Sequence, residues 1–199
     1  MALTYYNNNS ISNITSFAQV PSGSLTLLST ATASGSSSIS FTSGIDSTYD
    51  VYKFIFINMH PSADSPFAFQ VSTNGGSSYG ITITSTAFRT YHNETDSYTD
   101  LAYEGGTDLA QSTSYQRLLP SPDTANDSAN SGEMYLFAPS STTYVKHFIH
   151  RLNCESGGAS VDTFVAGYVN STSSINAINF KFESGNIDAG TIKMYGIKA

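Results

Sequence analysis

The sequence predicts an all-β protein: a two-sheet antiparallel sandwich, jelly-roll-like, with an extended N-terminal arm. Three observations carry that expectation. Aromatic residues make up 13 % of the 199 positions, as 13 Tyr and 12 Phe with no Trp. Charged residues are only 12 %, so Ser, Thr, Asn and Gly supply most of the polarity. Apolar residues fall into about nine or ten short runs separated by turn residues, a spacing that suits a sandwich. β-Branched and aromatic side chains fit a pleated, half-buried surface. Ser and Asn compete with helical hydrogen bonding and favour turns.

Residues 1–22 are expected to form the arm, because Tyr5-Tyr6-Asn7-Asn8-Asn9 and Ser10-Ile11-Ser12-Asn13-Ile14 keep no period. Residues 23–199 are expected to form one sandwich domain. Strands are predicted over 25–31 and 36–42, joined by a hairpin turn at Ala33-Ser34-Gly35-Ser36. The most apolar run, VYKFIFINMH at 51–60, reads as a central strand. Tyr52, Phe54 and Phe56 are expected on one face, with Val51, Ile55, Ile57 and Met59 on the other. Runs at 67–73 and 79–87 flank Asn74-Gly75-Gly76-Ser77, a strong hairpin signal because both central positions accept positive φ.

Residues 88–131 are read as a long irregular loop with a short helix near 108–115. Further strands are predicted over 133–138, 144–153 and 161–169. The last pair, 177–183 and 191–198, is separated by Ser184-Gly185-Asn186. No repeat at a solenoid or propeller period is present, which weighs against a β-helical depolymerase.

Net charge is −7 and there is no Lys/Arg cluster. Nucleic acid is therefore excluded as an expected partner, since neutralising phosphates needs a basic patch. No run reaches the roughly 20 apolar residues of a membrane span. Cys154 is the single cysteine, which rules out an internal disulfide or a cysteine zinc site. The first residues lack the basic and apolar regions of a secretory signal, so synthesis in a reducing cytoplasm is expected.

Five stretches carry a resemblance: SSSISFTSGIDSTY (36–49), YKFIFINMHPSAD (52–64), FQVSTNGGSSY (69–79), YLFAPSSTTYVKHFI (135–149) and SGNIDAGTIKMYGIK (184–198). The chain resembles a family of small β-rich structural proteins of tailed bacteriophages that infect marine bacteria, cyanobacteria among them. The resemblance implies a virion structural role, either tail-fibre-like or as a capsid decoration. It brings no catalytic or cofactor-binding residues.

The residues themselves offer four candidate chemistries. His147, His150 and Cys154 lie close in sequence, but alternation sends the two imidazoles to opposite faces, and no nucleophile elbow is present. Asp96, Asp100 and Glu104 could supply paired carboxylates for glycoside hydrolysis, but acids in a polar loop stay solvated. Asp123-Thr124-Ala125-Asn126-Asp127 offers oxygen ligands without the spacing of a calcium loop. His60, Asp64, His92 and Asp96 would form a metal site only if their loops converge. The fourth is contact with a partner. Tyr91, His92, Tyr98, Tyr103 and Tyr115 give the loop rigid apolar faces with polar tips, suited to a host surface glycan or to a neighbouring subunit.

The expected function is therefore architectural and non-enzymatic. The expected cofactor is none and no metal is assigned. The expected partners are further copies of the chain, as a trimer, and other virion proteins. The arm, through Tyr5, Tyr6, Ile11, Ile14 and Phe17, is the candidate assembly element. A tail fibre or appendage that touches the host is expected, with a head-decoration protein bracing the capsid as the alternative. A polysaccharide-degrading enzyme is a remote third reading. The expected location is the virion, after synthesis in the host cytoplasm.

Overall fold

A computed structural model describes residues 25–119 and 122–198. The proposed arm, with Tyr5, Tyr6, Ile11, Ile14 and Phe17, lies outside the described residues. The described chain folds as two antiparallel sheets and contains no helix. The larger has eight strands in the order β1 (Thr26–Ser36), β12 (Ile187–Ile197), β3 (Val51–Pro61), β8 (Asn130–Phe137), β9 (Lys146–Glu155), β10 (Ala159–Val169), β5 (Ile83–Asn93) and β6 (Thr99–Tyr103). The smaller has four: β2 (Ile39–Phe41), β11 (Ala177–Phe182), β4 (Phe67–Ser72) and β7 (Gln116–Leu119). The sandwich expected from the sequence is the fold observed. The chain passes repeatedly from one sheet to the other, in the manner of a jelly roll.

Those passages explain where the turn reading went astray. The turn expected at 33–36 is absent, because Ala33–Ser36 end β1, opposite Gly190, Ala189 and Ile187 of β12, and the chain leaves for β2 only after Ser36. The turns at 74–77 and 184–186 do reverse the chain, with Gly75, Gly76 and Gly185 at positive φ. Neither closes a hairpin. Each carries the chain between sheets, since β2, β4 and β11 pair with one another while β1, β5 and β12 belong to the larger sheet. True hairpins join β8 to β9, β9 to β10 and β5 to β6.

Between the sheets lies an aromatic core. The Phe180 ring is within 5.2–6.3 Å of the rings of Phe41, Phe54, Phe56, Phe67 and Phe69. All but the stacked Phe67 pair are tilted or edge-on, and such ring contacts add to the stabilisation from burial alone. Strand β3 is interior to its sheet, as expected, and Tyr52, Phe54 and Phe56 point inward. Met59 does not stay on the opposite face. Asn58 takes φ 49° and the β3–β8 register slips between Phe56 and Met59. This bulge swings Met59 back into the core, where it is fully buried. Gly190, at φ 127°, lies against the bulge, where a Cβ would come 2.8 Å from the Asn58 carbonyl oxygen.

The irregular loop expected over 88–131 is interrupted by strands. β5 continues to Asn93, β6 returns beside it, β7 joins the smaller sheet and β8 begins at Asn130. The helix expected near 108–115 is absent. Ile83 and Ser112 exchange backbone hydrogen bonds at 2.8 and 3.0 Å, so this stretch runs extended beside β5. It also helps to close the far side of the smaller sheet. Gln70, fully buried there, donates to the carbonyls of Ile81, Thr113 and Ser114 at 3.0–3.2 Å. The smaller sheet thus has its Gln70 side under its own chain, whereas the outer face of the larger sheet keeps Ile57, Phe88, Leu101, Tyr103 and Ile149 exposed among the described residues.

Candidate contact surface

The β5–β6 hairpin holds four of the five residues expected to form a contact surface, and the pleat divides them. Tyr91 pairs across the ladder with Asp100. Its ring meets that of Tyr98 edge-on at 5.5 Å. Phe88 pairs with Tyr103 and His92 with Thr99, on the opposite face. His92 is exposed and its Nε2 lies 3.0 Å from Asp96 Oδ1. Tyr103 donates to Asp108 Oδ2 at 2.7 Å, a bond that raises its pKa. Tyr115 belongs elsewhere. It is half-buried beside the smaller sheet, donates to Asn179 Oδ1 at 3.0 Å and lies under Lys181 Nζ at 4.4 Å. The five therefore do not form one patch.

The other candidate chemistries disperse in the same way. His147 points outward from β9 while His150 and Cys154 point inward. Four residues along a strand separate the last two by about 13 Å. Asp100 and Glu104 are both ion-paired to Arg89. His60 bonds the Ala125 carbonyl at 3.2 Å and lies 3.6 Å from Asp188, far from any bond to His92 or Asp96. No three potential metal-binding side chains converge among the described residues.

What the fold does assemble is an apolar trough on the outer face of the larger sheet. Cross-strand register sets out its rows. One runs Leu27, Tyr195, Lys53, Tyr135, Ile149, Ala166, Thr86. The next runs Ile55, Glu133, Arg151, Phe164, Phe88, Tyr103. Ala166 and Thr86 are short, so they form a floor between the bulky Tyr135, Ile149, Phe164 and Phe88. The resulting hollow has a volume of about 360 Å³. Phe88 and Phe164 stack nearly parallel at 4.7 Å. Phe88 is nevertheless 43 % exposed and Ile149 46 %.

Charges around the trough are already matched. Lys53 Nζ sits 2.6 Å from Glu133 and 4.9 Å from the Tyr135 ring centre. Desolvation pulls the Lys53 ammonium down, but its bonds to Glu133 and Tyr135 outweigh this and its pKa is raised. Arg151 grips Asp162 with two nitrogens at 2.7 and 2.9 Å, and its guanidinium lies 5.0 Å from the centre of Phe164. Beyond the trough the same face exposes Leu27, Ile57, Leu101 and Tyr103. Most of the exposed large hydrophobic residues in the described chain are therefore on one side of one sheet. On a protein that stands alone, apolar surface is scattered, and a contiguous patch marks a contact site.

Reading the sequence missed Phe88, Tyr135, Ile149 and Phe164. A signal was present. In VDTFVAGYV (161–169), Phe164 and Tyr168 lie on the face opposite Val161 and Val165, so the strand is apolar on both sides. No protein-family model, curated protein or solved structure matches the chain.

Proposed function

We propose that the protein is a non-enzymatic structural module of a tailed-bacteriophage particle, associating with copies of itself through the outer face of the eight-stranded sheet. The observation that supports this most directly is the uncovered apolar face itself. The smaller sheet has its Gln70 side under its own loops, whereas Phe88, Ile149, Leu101 and Tyr103 on the larger sheet are about half or more exposed. Low charge and paired ions favour close packing of like surfaces, because no unmatched charge must be desolvated. The phage assignment rests on the resemblance of the five sequence stretches. A tail fibre or appendage is the placement proposed, with host contact made by the β5–β6 hairpin. Closed cyclic assemblies are the common outcome of self-association, and a trimer is the state proposed.

Mass measurement in solution at micromolar concentration tests the association. An oligomer is expected, and Ile149→Arg, which sets an unpaired charge on the trough, should dissociate it without unfolding the sandwich. A monomer of 21.3 kDa at every concentration would refute the proposal. Immunogold labelling of assembled particles tests placement: label at the tail is expected, and label spread over the head would replace it with the decoration role.

A further inference from the structure

We infer that β1 is an open sheet edge onto which a second copy of this chain adds its own β1, antiparallel about a two-fold axis at Thr32, so that the eight-stranded sheet of one copy runs on into that of the other. The first observation is a contrast among edges. The two sheets end in β1, β6, β2 and β7. β2 has three residues, and β7 has four with Arg117 among them. β6 has five, with Asp100 inside it and Glu104 just after it. Short strands and charged side chains are what keep a sheet edge from pairing with another chain. β1 has neither. It runs for 11 residues, TLLSTATASGS, without a charge or a proline, and the first charged residue after Leu25 is Asp46. Among the described residues, only β12 pairs with it.

The second observation is the direction in which the β1 backbone points. Thr32 lies opposite Thr191, with their hydroxyl oxygens 3.1 Å apart. Side chains come closest across a pair whose backbone groups do not bond each other. Thr32 therefore turns its N–H and C=O away from β12. Ser34, two residues on, agrees: its N–H donates to Ser36 Oγ at 3.3 Å. Alternation gives Thr30 the same aim. The free side of β1 thus carries a row of backbone donors and acceptors that another extended strand completes.

The third is the fit of β1 to itself. The bulge between Leu27 and Ser29, and Gly35 at φ 63°, bound a regular run over 29–34. An axis at Thr32 sets Thr32 against Thr32 of the second copy, and Thr30 against Ser34, all exposed on the outer face. It sets Ala31 against Ala33 on the inner face, where both pack towards the core. Hydroxyl then meets hydroxyl and methyl meets methyl. No like charges are opposed, and cross-strand Thr pairs favour pairing. A second copy is therefore an occupant that matches on both faces. The edge is separate from the trough, so trimers joined through the outer face would combine through it in pairs, a symmetry common among closed assemblies.

The test isolates the edge with Ile149→Arg, which removes the contact through the outer face. Sedimentation equilibrium of that chain, raised from micromolar to submillimolar concentration, should reach twice 21.3 kDa. Adding Thr32→Lys or Thr32→Glu opposes like charges across the axis, so each double variant should stay at 21.3 kDa. An equimolar mixture of the two should pair again at low salt, where the charges attract, and separate at high salt. Urea unfolding establishes that each variant is folded. If Ile149→Arg is not, the Thr32 variants in the parent chain should halve the mass of the assembly, and their mixture should restore it.

A folded Ile149→Arg chain that stays single at every concentration overturns the edge pairing and leaves association through the outer face standing. Association indifferent to both Thr32 substitutions, in either background, overturns it too, because the contact then lies elsewhere. If each substitution separates the chains but the mixture does not reunite them, β1 does not face its own copy and the two-fold arrangement is refuted.

Discussion

Acidifying the solution from about pH 7.5 to about pH 5 should cost this fold about 2 kcal/mol through one side chain, His150. His150 points inward from β9, opposite Met134 on β8 and Val165 on β10. Neither ring nitrogen has a hydrogen-bond partner among the described residues. The other ionisable groups on the inner faces of β8, β9, β10 and β5 are Lys146, Cys154, Arg89 and Tyr91. Burial alone pushes the imidazole down to about 3. The folded protein therefore keeps His150 neutral while the unfolded chain protonates it near pH 6.5. Because the unfolded state binds the extra proton, stability is full above about pH 7.5 and falls as the pH drops through 6.5, levelling only near the folded value. Each pH unit in that window is worth about 1.4 kcal/mol, and about 1.5 units lie between 6.5 and 5, which gives the figure of about 2 kcal/mol. Urea unfolding at both pH values measures it. His150→Leu keeps an apolar side chain in the site and removes the titration, so its stability should change by much less over the same range. If His150→Leu loses as much as the parent protein, the proton is taken up elsewhere and the burial argument fails.

Phe54→Ala should cost about 3–5 kcal/mol, because the ring is fully buried against Phe41 and Phe180. Ile55→Ala, half-buried on the outer face, should cost only about 1–2 kcal/mol in the same thermal unfolding assay. Lys146 is fully buried, its pKa is lowered by desolvation, and its ammonium donates to the carbonyls of Ser171 and Ser173 at 3.0 and 2.7 Å. Lys146→Met keeps the stem but leaves both acceptors unpaired, so a loss of about 1–3 kcal/mol and faster amide exchange around residues 171–175 are expected. Cys154 is buried and its thiol is pushed up to about 12. It should resist a thiol reagent at neutral pH in the native protein and react once denatured; rapid native labelling would contradict the burial.

Strand identity was legible in this sequence because period-two alternation is written residue by residue. Phe180 and Phe182 alternate with Asn179 and Lys181 wherever the partner strand lies. Partnership was not legible. A turn such as Asn74-Gly75-Gly76-Ser77 specifies backbone angles that reverse the chain, and those angles serve a crossing between sheets as well as a hairpin. The stretch from 88 to 131 was taken for a loop because β5 and β6 form the sheet's edge. There the inner face carries ion pairs of Arg89 with Asp100 and Glu104, with Tyr91 only partly buried beside them. Strands in such a place carry polar residues on both sides and lose the alternation that announces them. The trough escaped notice for a related reason. Phe88, Tyr135, Ile149 and Phe164 come from four strands, and only register brings them together. The expected tyrosine surface is divided by the same geometry, since Tyr91 and Tyr103 share a hairpin but face opposite ways.

The pairing of β1 with β12 sets the order in which the molecule can be completed. Thr26 lies opposite Gly196, so the first strand described waits for the last before its inner hydrogen bonds exist. β3 also has one neighbour from that final strand. A ribosome therefore releases most of this chain before the sheet can close, and the β8–β9–β10 meander, with its local pairings, is the part able to form early. Contacts so distant in sequence make for slow closure, because the entropy of bringing the ends together is spent before any pairing repays it. Until β12 arrives, β1 and β3 each present an open strand edge, the arrangement that recruits strands from other chains. At high expression, mispairing between unfinished chains should thus compete with folding at these two strands before any other.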